Sequence, residues 1–353
     1  MTQRKITVVF AFCILIFHAL SAWSQTHPVV DMAGRTITVP QKIERVYCMN
    51  PACALLVYNI APEKLVNWPI ALNAEARQFL GADAKPATVT AFDRSNPDNT
   101  ANNEEILRLH PDIVMFMANT TIVSRVDRFQ AQTGLPTYVI NPNLNDTPKV
   151  FEQLGYLLGE EGKAKQLAQY SRRILSQVEA TARTIPQNQR KRLYYAQGTN
   201  GLMTFPAGAP HAQMIEAVGA INVANVPYGL GASQISGEQL IRWQPEVILA
   251  VTDTSSQSLD FYNRALWTDP LWQSLPAVRN HLVYTSPRVP FNWIDPPWSS
   301  NRILGLAWLA QTLYPNRYHF DLRKETREYY KLFYHCTLTD VKINQLLSGS
   351  KPR

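Results

Sequence analysis

The sequence predicts an α/β protein with two Rossmann-like lobes joined by one long, rigid helix. Short β-branched or aromatic runs alternate with amphipathic segments on both sides of the chain's midpoint, a pattern typical of parallel sheets. Between Gly162 and Ile185, apolar residues recur every three or four positions, and no proline interrupts them. A helix of this length spans roughly 30 to 35 Å, enough to connect two domains. A surface helix of one large domain is the alternative interpretation.

The first 24 residues are predicted to be a secretory signal peptide. Arg4 and Lys5 precede an uninterrupted apolar run from Val8 to Phe17, and small residues follow at Ala22 and Ser24. The apolar run is shorter than the about 20 residues that a membrane span needs. We therefore expect cleavage after Ser24 and export of a soluble mature protein.

The mature chain is predicted to divide into a first lobe at 25–161, the connecting helix at 162–185 and a second lobe at 186–353. A chain of 353 residues with 46% hydrophobic content can bury a substantial core. The formal charge falls from +7 to +5 when the two basic residues of the leader are removed. Since the chain has no long cluster of Lys and Arg, nucleic acid is not an expected partner.

Three cysteines remain in the mature chain: Cys48, Cys53 and Cys336. A bridge between Cys48 and Cys53 is sterically uncertain at five residues' separation, and we favour buried free thiols. No CxxC, HExxH or other Cys/His spacing indicates a metal site. The sequence therefore predicts no resident metal and no cofactor.

The first lobe contains a hairpin followed by alternating strands and helices. The hairpin is VVDMAGRTITVP, which alternates apolar and polar residues around a Gly turn. The predicted strands are ERVYCMNP, LVNWPI, DIVMFMA and LPTYVIN. The predicted helices are ACALLVYNI, EEILRLH and PKVFEQLGYLLG, the last with proline at its first position.

The second lobe repeats this alternation. The predicted strands are RLYYAQG, EVILAVTD and HLVYTSP. The predicted helices are APHAQMIEAVGA, EQLIRW and a long amphipathic helix that starts in PPWSSNRILGLAWLAQTLYP. One unit recurs in both lobes, as NEEILRLHPDIVMF and as GEQLIRWQPEVILA. Duplicated lobes imply a cleft between them.

The mature chain resembles the periplasmic substrate-binding proteins of ABC importers for siderophores, haem and cobalamin, the type with two lobes and a single long connecting helix. The resemblance rests on DMAGRTITVPQKIERV, NNEEILRLHPDIVMF, ISGEQLIRWQPEVILAV and HLVYTS, which follow one another in the expected order. It implies a periplasmic monomer whose partners are an ABC permease and its ATPase.

The resemblance also implies a role for Glu104 and Glu238, one on each lobe, as carboxylates that dock onto arginines of the permease. Two like charges held apart by a rigid helix suit such two-point recognition. The alternative is that both are ordinary first-turn glutamates that stabilise helix N-termini.

The ligand is expected beyond the carboxyl ends of the strands, where open α/β sheets bind ligands. This rule selects residues that follow strands in both lobes. The candidates are Asn50, Trp68 and Asn119 in the first lobe, and Phe205, His211, Tyr228, Arg288, Trp293, Ser299 and Asn301 in the second.

The richest candidate stretch is SPRVPFNWIDPPWSSN. Arg288 is a permanent cation suited to oxygen anions. Ser299 and Asn301 fall at a helix start, where backbone N–H groups bind anions, although helix capping explains them equally well. The aromatic residues offer flat apolar surface for a ligand or for core packing. His211 has the chemistry to coordinate a metal within the ligand, with a surface or capping role as the alternative.

We expect a binding protein that captures a ferric siderophore, haem or cobalamin type of metal chelate. The alternative cargo is a metal oxyanion, molybdate or tungstate, because only one arginine is obvious in the last cleft segment. A secreted hydrolase using Asp253 and Asp295 is less favoured, because the chain has no GxSxG or metalloprotease motif.

Overall fold

The computed structural model describes residues 25–69, 72–81, 101–117, 123–229, 231–250 and 261–348. The predicted signal peptide at 1–24 lies outside the described residues, and so do Asn119 and Asp253.

The described chain begins with the predicted hairpin, which is confirmed. Strand β1 (Thr26–Val30) pairs antiparallel with β2 (Thr36–Pro40). The turn between them is held by Asp31, whose Oδ1 accepts hydrogen bonds from the backbone N–H groups of Ala33 and Arg35, both at 2.9 Å. A short acidic side chain that satisfies nearby backbone donors in this way is a common turn-former.

Three parallel strands form the first sheet, in the order β3 (Val46–Cys48), β4 (Ile113–Met117) and β5 (Thr137–Ile140). Every residue of these strands is buried, as expected for a parallel sheet with both faces covered. The helices of this part of the chain are α1 (Pro51–Ile60), α2 (Ala74–Arg77), α3 (Ala101–Arg108), α4 (Val123–Thr133) and α5 (Thr147–Leu158).

The prediction of a strand at LVNWPI is wrong. Leu65 makes an isolated bridge with Val46, and the pairing stops there. The Asn67 side chain makes the hydrogen bonds that a neighbouring strand would make with Cys48. Its Oδ1 accepts from the Cys48 N–H at 2.8 Å, and its Nδ2 donates to the Cys48 carbonyl at 2.9 Å. One side chain thus satisfies both backbone groups at the sheet edge.

The helix predicted between Gly162 and Ile185 is observed as α6 (Glu161–Ala182), unbroken over 22 residues. Its apolar stripe is buried, and it packs closely against α5. A Cβ added at Gly155 would come within 2.2 Å of the Ala164 Cβ, so glycine allows the two helices to approach. The buried residues of α6 are Ala164, Leu167, Ala168, Tyr170, Ser171, Ile174, Val178 and Ala182.

The strands after α6 are β6 (Arg192–Ala196), β7 (Met203–Thr204), β8 (Ile221–Asn222), β9 (Ser233–Gln234), β10 (Val247–Ala250) and β11 (Val283–Thr285). The second sheet is separate from the first and has four parallel strands, in the order β11-β10-β6-β8. A small antiparallel pair, β7 with β9, lies beside it. Two parallel sheets on either side of α6 confirm the predicted fold class.

The helices of this second part are mostly short. The helix predicted from APHAQMIEAVGA is divided into a 3₁₀ turn at Pro210–Ala212 and the helix α7 (Gln213–Ala217). Gly219, at φ +83°, follows it in a conformation that side chains rarely adopt. The other helices here are α8 (Gly237–Trp243), α9 (Leu266–Thr268), α10 (Pro270–Gln273) and α11 (Pro276–Arg279).

Three final helices connect the second sheet back to the first. They are α12 (Asn301–Leu313), α13 (Leu322–Phe333) and α14 (Asp340–Ser348). The Tyr58 hydroxyl donates to the Tyr334 carbonyl at 3.0 Å, and Asn59 Nδ2 donates to the Phe333 carbonyl at 2.9 Å. These bonds join α1 to the end of α13. One hydrophobic cluster contains residues from the strands of both sheets, so the core is continuous between them.

Candidate functional site

The strand ends of the first sheet are tied together by Asn50. Its Nδ2 donates to the Met117 carbonyl at the end of β4, at 2.8 Å, and its Oδ1 accepts from the Cys53 N–H at 3.0 Å. The residue therefore caps α1 and links two neighbouring strand ends, while its side chain is half-buried. Asn50 therefore has a structural role at the strand ends, whether or not it also contacts a ligand.

The rings of Phe205, His211 and Trp298 stack on one another in loops of the second lobe. His211 lies between Phe205 and Trp298, with ring centroids 4.0 and 4.4 Å away and planes tilted by 6° and 18°. Phe205 is buried, whereas His211 and Trp298 are half-buried and reach the surface. Stacking on both faces fixes the plane of the imidazole and leaves its edges for polar contacts.

The inner edge of this imidazole contacts a buried carboxylate. His211 Nδ1 lies 2.6 Å from Asp295 Oδ2. Since an ionised carboxylate can only accept, the Nδ1 proton is the one in this bond. Nε2, on the other edge, has no hydrogen-bond partner within the described ranges. This is how proteins orient a histidine whose second nitrogen binds a metal.

Arg302, in the first turn of α12, is the buried cation beside this pair. Its guanidinium donates to the carbonyls of Pro142 at 2.8 Å and Pro210 at 3.2 Å, and so joins the segment after β5 to the segment that carries His211. Burial lowers the pKa of Arg302 to about 10, although the nearby Asp295 carboxylate opposes that shift. The side chain therefore remains charged at neutral pH.

Arg288 and Tyr228 are exposed on connections of the same lobe. Arg288 follows β11, and its guanidinium has no hydrogen bond or ion pair among the residues that the structure describes. Tyr228 is 42% exposed, and partial burial raises the pKa of its hydroxyl. Both lie on connections that follow strands of the second sheet, and such loops commonly carry ligands.

Four other residues predicted for the cleft are buried, and their polar groups are satisfied inside the protein. Trp68 packs on Phe291 with ring centroids 6.0 Å apart, and Trp293 Nε1 donates to the Tyr330 hydroxyl at 3.2 Å. The polar groups of Ser299 and Asn301 are also hydrogen-bonded inside the protein. The Ser299 hydroxyl donates to the Ala52 carbonyl at 2.7 Å, and Asn301 Oδ1 accepts from the Ser299 N–H at 3.1 Å. Core packing accounts for the two tryptophans. The start of α12 has no side-chain cap hydrogen bond, so the contacts of Ser299 and Asn301 are internal contacts of another kind than the capping expected from the sequence.

Two residues of this site, Asp295 as the partner of His211 and the buried Arg302, are not indicated by the sequence. Asp295 lies 84 positions from His211 in a proline-rich loop, where it is typical of a turn. Arg302 stands in an amphipathic helix, where arginine is ordinarily solvated. No local pattern in either stretch indicates the contact.

The cysteines are free thiols in the structure. The expected buried free thiols are observed for Cys48 and Cys53, whereas Cys336 is a free thiol that is partly exposed. Burial, together with the neighbouring Cys53 thiol, raises the pKa of Cys48. Such thiols are poor nucleophiles.

No group of three or more His, Cys, Asp or Glu side chains within the described ranges is arranged to hold a metal ion. Over the same residues, none of the helices is both long and apolar enough to cross a membrane.

The two predicted docking glutamates both lie in the first turns of helices. Glu104 on α3 is fully solvated, and its carboxylate is 4.0 Å from the guanidinium of Arg108. On α8, hydrogen bonds from the Glu238 backbone N–H and the Ser236 hydroxyl, aided by Arg242, hold the pKa of the Glu238 carboxyl below its usual value. Glu238 therefore stays charged at neutral pH.

Two parallel sheets flanking one long helix, with a cationic and aromatic set on loops beyond the strand ends, define a two-lobed solute-binding protein. The chain belongs to the periplasmic binding protein family, whose sequence profile matches residues 67–290. Members of this family bind solutes for ABC transporters.

Named relatives agree with this assignment. The chain is 25% identical to the molybdate-binding protein MolA of Haemophilus influenzae, over 94% of this chain and 97% of that protein. It is 28% identical to the ferric enterobactin-binding periplasmic protein FepB of Escherichia coli, over 51% of this chain and 58% of that one. A solved ABC transporter solute-binding protein from Sulfurospirillum deleyianum superposes with a TM-score of 0.81 at 26% identity, covering 91% of this chain and 99% of that chain.

Proposed function

We propose that the protein is exported through its signal peptide, binds a metal oxyanion of the molybdate or tungstate type as a periplasmic monomer, and delivers it to an ABC permease and its ATPase. The observation that carries the choice of cargo is the His211–Asp295 pair, in which Nδ1 is held at 2.6 Å and Nε2 has no hydrogen-bond partner among the described residues. To contact an oxygen atom of the anion, this imidazole must carry a proton on Nε2 as well as on Nδ1, because the unprotonated Nε2 of a neutral ring only accepts.

The charged groups of this lobe suit an anion. Arg288 has a guanidinium without a hydrogen bond or ion pair among the described residues, and Arg302 is a buried cation that offsets the charge of Asp295. Tyr228 has a partly exposed hydroxyl that can donate a hydrogen bond. Oxyanions are bound by a few such donors rather than by a broad surface.

The extent of the similarity supports the same cargo. The match to the molybdate-binding relative runs over nearly the whole of both chains, whereas the match to the ferric enterobactin-binding relative covers about half of this chain.

A metal chelate of the ferric siderophore, haem or cobalamin type is the second candidate. The stacked rings of Phe205, His211 and Trp298 favour it, because they offer a flat face to a planar or aromatic ligand. A histidine whose Nδ1–H is held by a carboxylate is also the usual form of a metal ligand, here for the metal of the cargo.

We propose binding without turnover. A hydrolase that used His211 to activate a serine would need a free hydroxyl, and the Ser299 and Ser300 hydroxyls are engaged elsewhere. The Ser299 hydroxyl donates to the Ala52 carbonyl and the Ser300 hydroxyl to Asn59 Oδ1.

Calorimetric titration of the purified mature protein tests the cargo. We expect saturable one-to-one binding of molybdate or tungstate, at least about tenfold tighter than that of sulfate or phosphate, because the site offers few donors in fixed positions. Ferric catecholate, haem and cobalamin serve as the competing ligands. Tight binding of one of these without heat from molybdate would select the second candidate, and release of a product from any of them would contradict a pure binding role.

Glu104 and Glu238 are proposed as the permease-docking carboxylates. The E104Q and E238Q variants are each expected to weaken docking to the cognate permease–ATPase complex about tenfold, because each removes one charge of a two-point contact. The matched control is E75Q, since Glu75 is also an exposed first-turn glutamate, on α2. Docking can be measured by biolayer interferometry with the complex in nanodiscs. Equal losses in E75Q would indicate a general charge effect instead.

A further inference from the structure

The two helices that carry the docking glutamates expose an apolar side chain at the same position. Leu107 follows Glu104 by three residues on α3, and Ile241 follows Glu238 by three residues on α8. Their exposed fractions are 40% and 39%. A residue three positions on lies on the same face of a helix, so each carboxylate has an apolar neighbour one turn away.

In both helices another residue is the fully buried one. The preceding residue supplies the core contact in both cases, since Ile106 and Leu240 are completely buried. A single exposed apolar residue on a soluble protein requires no explanation. The same residue class at the same position of two duplicated helices, with nearly equal exposure, does require one.

The two helices are also held by the same set of contacts. In the first lobe, the Arg45 guanidinium donates to the Leu109 carbonyl at 2.6 Å, and the Arg45 N–H donates to Asp112 at 2.9 Å. In the second lobe, the Arg192 guanidinium donates to the Trp243 carbonyl at 2.6 Å, and the Arg192 N–H donates to Glu246 at 3.0 Å.

These contacts pin the end of each helix to the sheet of its own lobe. His110 and Gln244, which follow the helices, adopt left-handed backbones with φ of 44° and 43°. The exposed face of α3 and that of α8 are therefore rigid and locally equivalent. Preorganised side chains lose little conformational entropy when a partner binds them.

We infer that Leu107 and Ile241 are the apolar anchors of the permease-docking surface. The partner is a permease dimer whose two equivalent subunits each present an apolar depression beside a basic side chain. Each depression receives one anchor, and each basic side chain receives Glu104 or Glu238. This inference rests on the proposed docking role of the two glutamates, and it adds the apolar half of the contact. Charges set the orientation and rate of docking, and the buried apolar groups hold the complex together.

Serine substitutions in the mature protein test the inference. L107S and I241S are each expected to weaken docking to the cognate permease–ATPase complex in nanodiscs about tenfold, and the double variant more, because a buried aliphatic side chain is lost. The salt dependence of docking should be unchanged in these variants and reduced in E104Q and E238Q. The conservative variants L107M and I241L should dock like the parent.

The matched control is V341S, because Val341 on α14 is 76% exposed and belongs to neither duplicated unit. Thermal unfolding of each variant checks that the fold is retained. If L107S and I241S dock like the parent while E104Q and E238Q lose docking, the apolar anchors are refuted and the glutamate role stands. If all four variants dock like the parent, the docking surface lies elsewhere and both proposals fail.

Discussion

Replacing Arg302 with alanine is expected to destabilise the folded protein by about 3 to 5 kcal/mol, the usual cost of removing one partner from a buried charged network. The guanidinium is completely buried and donates to the carbonyls of Pro142 and Pro210, which lie on segments from the two different lobes. Truncation leaves both carbonyls without this donor and leaves the buried Asp295 carboxylate with His211 alone. Chemical denaturation followed by tryptophan fluorescence measures the loss.

Two further variants separate the role of Arg302 from that of positive charge in general. R302K keeps the positive charge, but the lysine ammonium cannot donate to both carbonyls as the planar guanidinium does. An intermediate loss of unfolding free energy is therefore expected. R279A removes an exposed arginine at the end of α11 and should change the free energy of unfolding by about 0.5 kcal/mol or less. If R302A unfolds at the same denaturant concentration as R279A, Arg302 does not connect the lobes energetically.

The elements that could be predicted from the sequence are those with a strong local signal. The α6 stripe repeats over 22 residues, and the strands of both sheets are continuous apolar runs bounded by turn residues. The prediction of a strand at LVNWPI failed because of a side-chain contact that hydrophobic periodicity does not reveal. The Asn67 amide satisfies both backbone groups of Cys48, so the chain leaves the sheet where its apolar run still suggests a strand.

The candidate site was harder to predict, because its members come from distant parts of the chain. The rule that ligands lie beyond strand ends selected His211 and Arg288, and both reach the surface. The same rule selected Trp68 and Trp293, which are buried, because it does not distinguish a side chain that points into the cleft from one that packs below it. The contact between His211 and Asp295 depends on the tertiary structure alone.

The duplicated unit, unlike the candidate site, can be recognised directly in the sequence. NEEILRLHPDIVMF and GEQLIRWQPEVILA align without a gap, and the structure gives both units a helix, a left-handed residue and a buried parallel strand. The acidic residue after the proline also has the same task in each unit, since Asp112 and Glu246 both accept a backbone N–H from the start of the neighbouring strand. Local similarity predicted the helix, the left-handed residue and the strand, because these depend on neighbouring residues of the unit. The contacts with Arg45 and Arg192 span 67 and 54 positions and could not be predicted in this way.

Loss of the cationic groups at the candidate site is expected to have the largest effect on cargo binding. R288Q and H211A should each weaken molybdate binding by about 10- to 150-fold, the equivalent of one charge-assisted hydrogen bond. D295N should weaken it by about 10-fold or more, because the asparagine still contacts His211 but no longer stabilises its positive form. The control is R279Q, which removes an exposed arginine of the same lobe. Calorimetric titration with molybdate gives the affinities.

H211Q distinguishes the two proposed cargoes, because its amide can donate a hydrogen bond but is a poor metal ligand. If the cargo is an oxyanion, H211Q should retain more affinity than H211A, since an oxygen atom of the anion accepts from either an amide or an imidazole N–H. If the imidazole instead coordinates the metal of a chelate, H211Q and H211A should be equally impaired with that chelate as the titrant. Should R288Q and H211A both bind molybdate as tightly as R279Q does, the oxyanion site does not lie at the His211–Asp295 pair, because neither cation would then contribute to it.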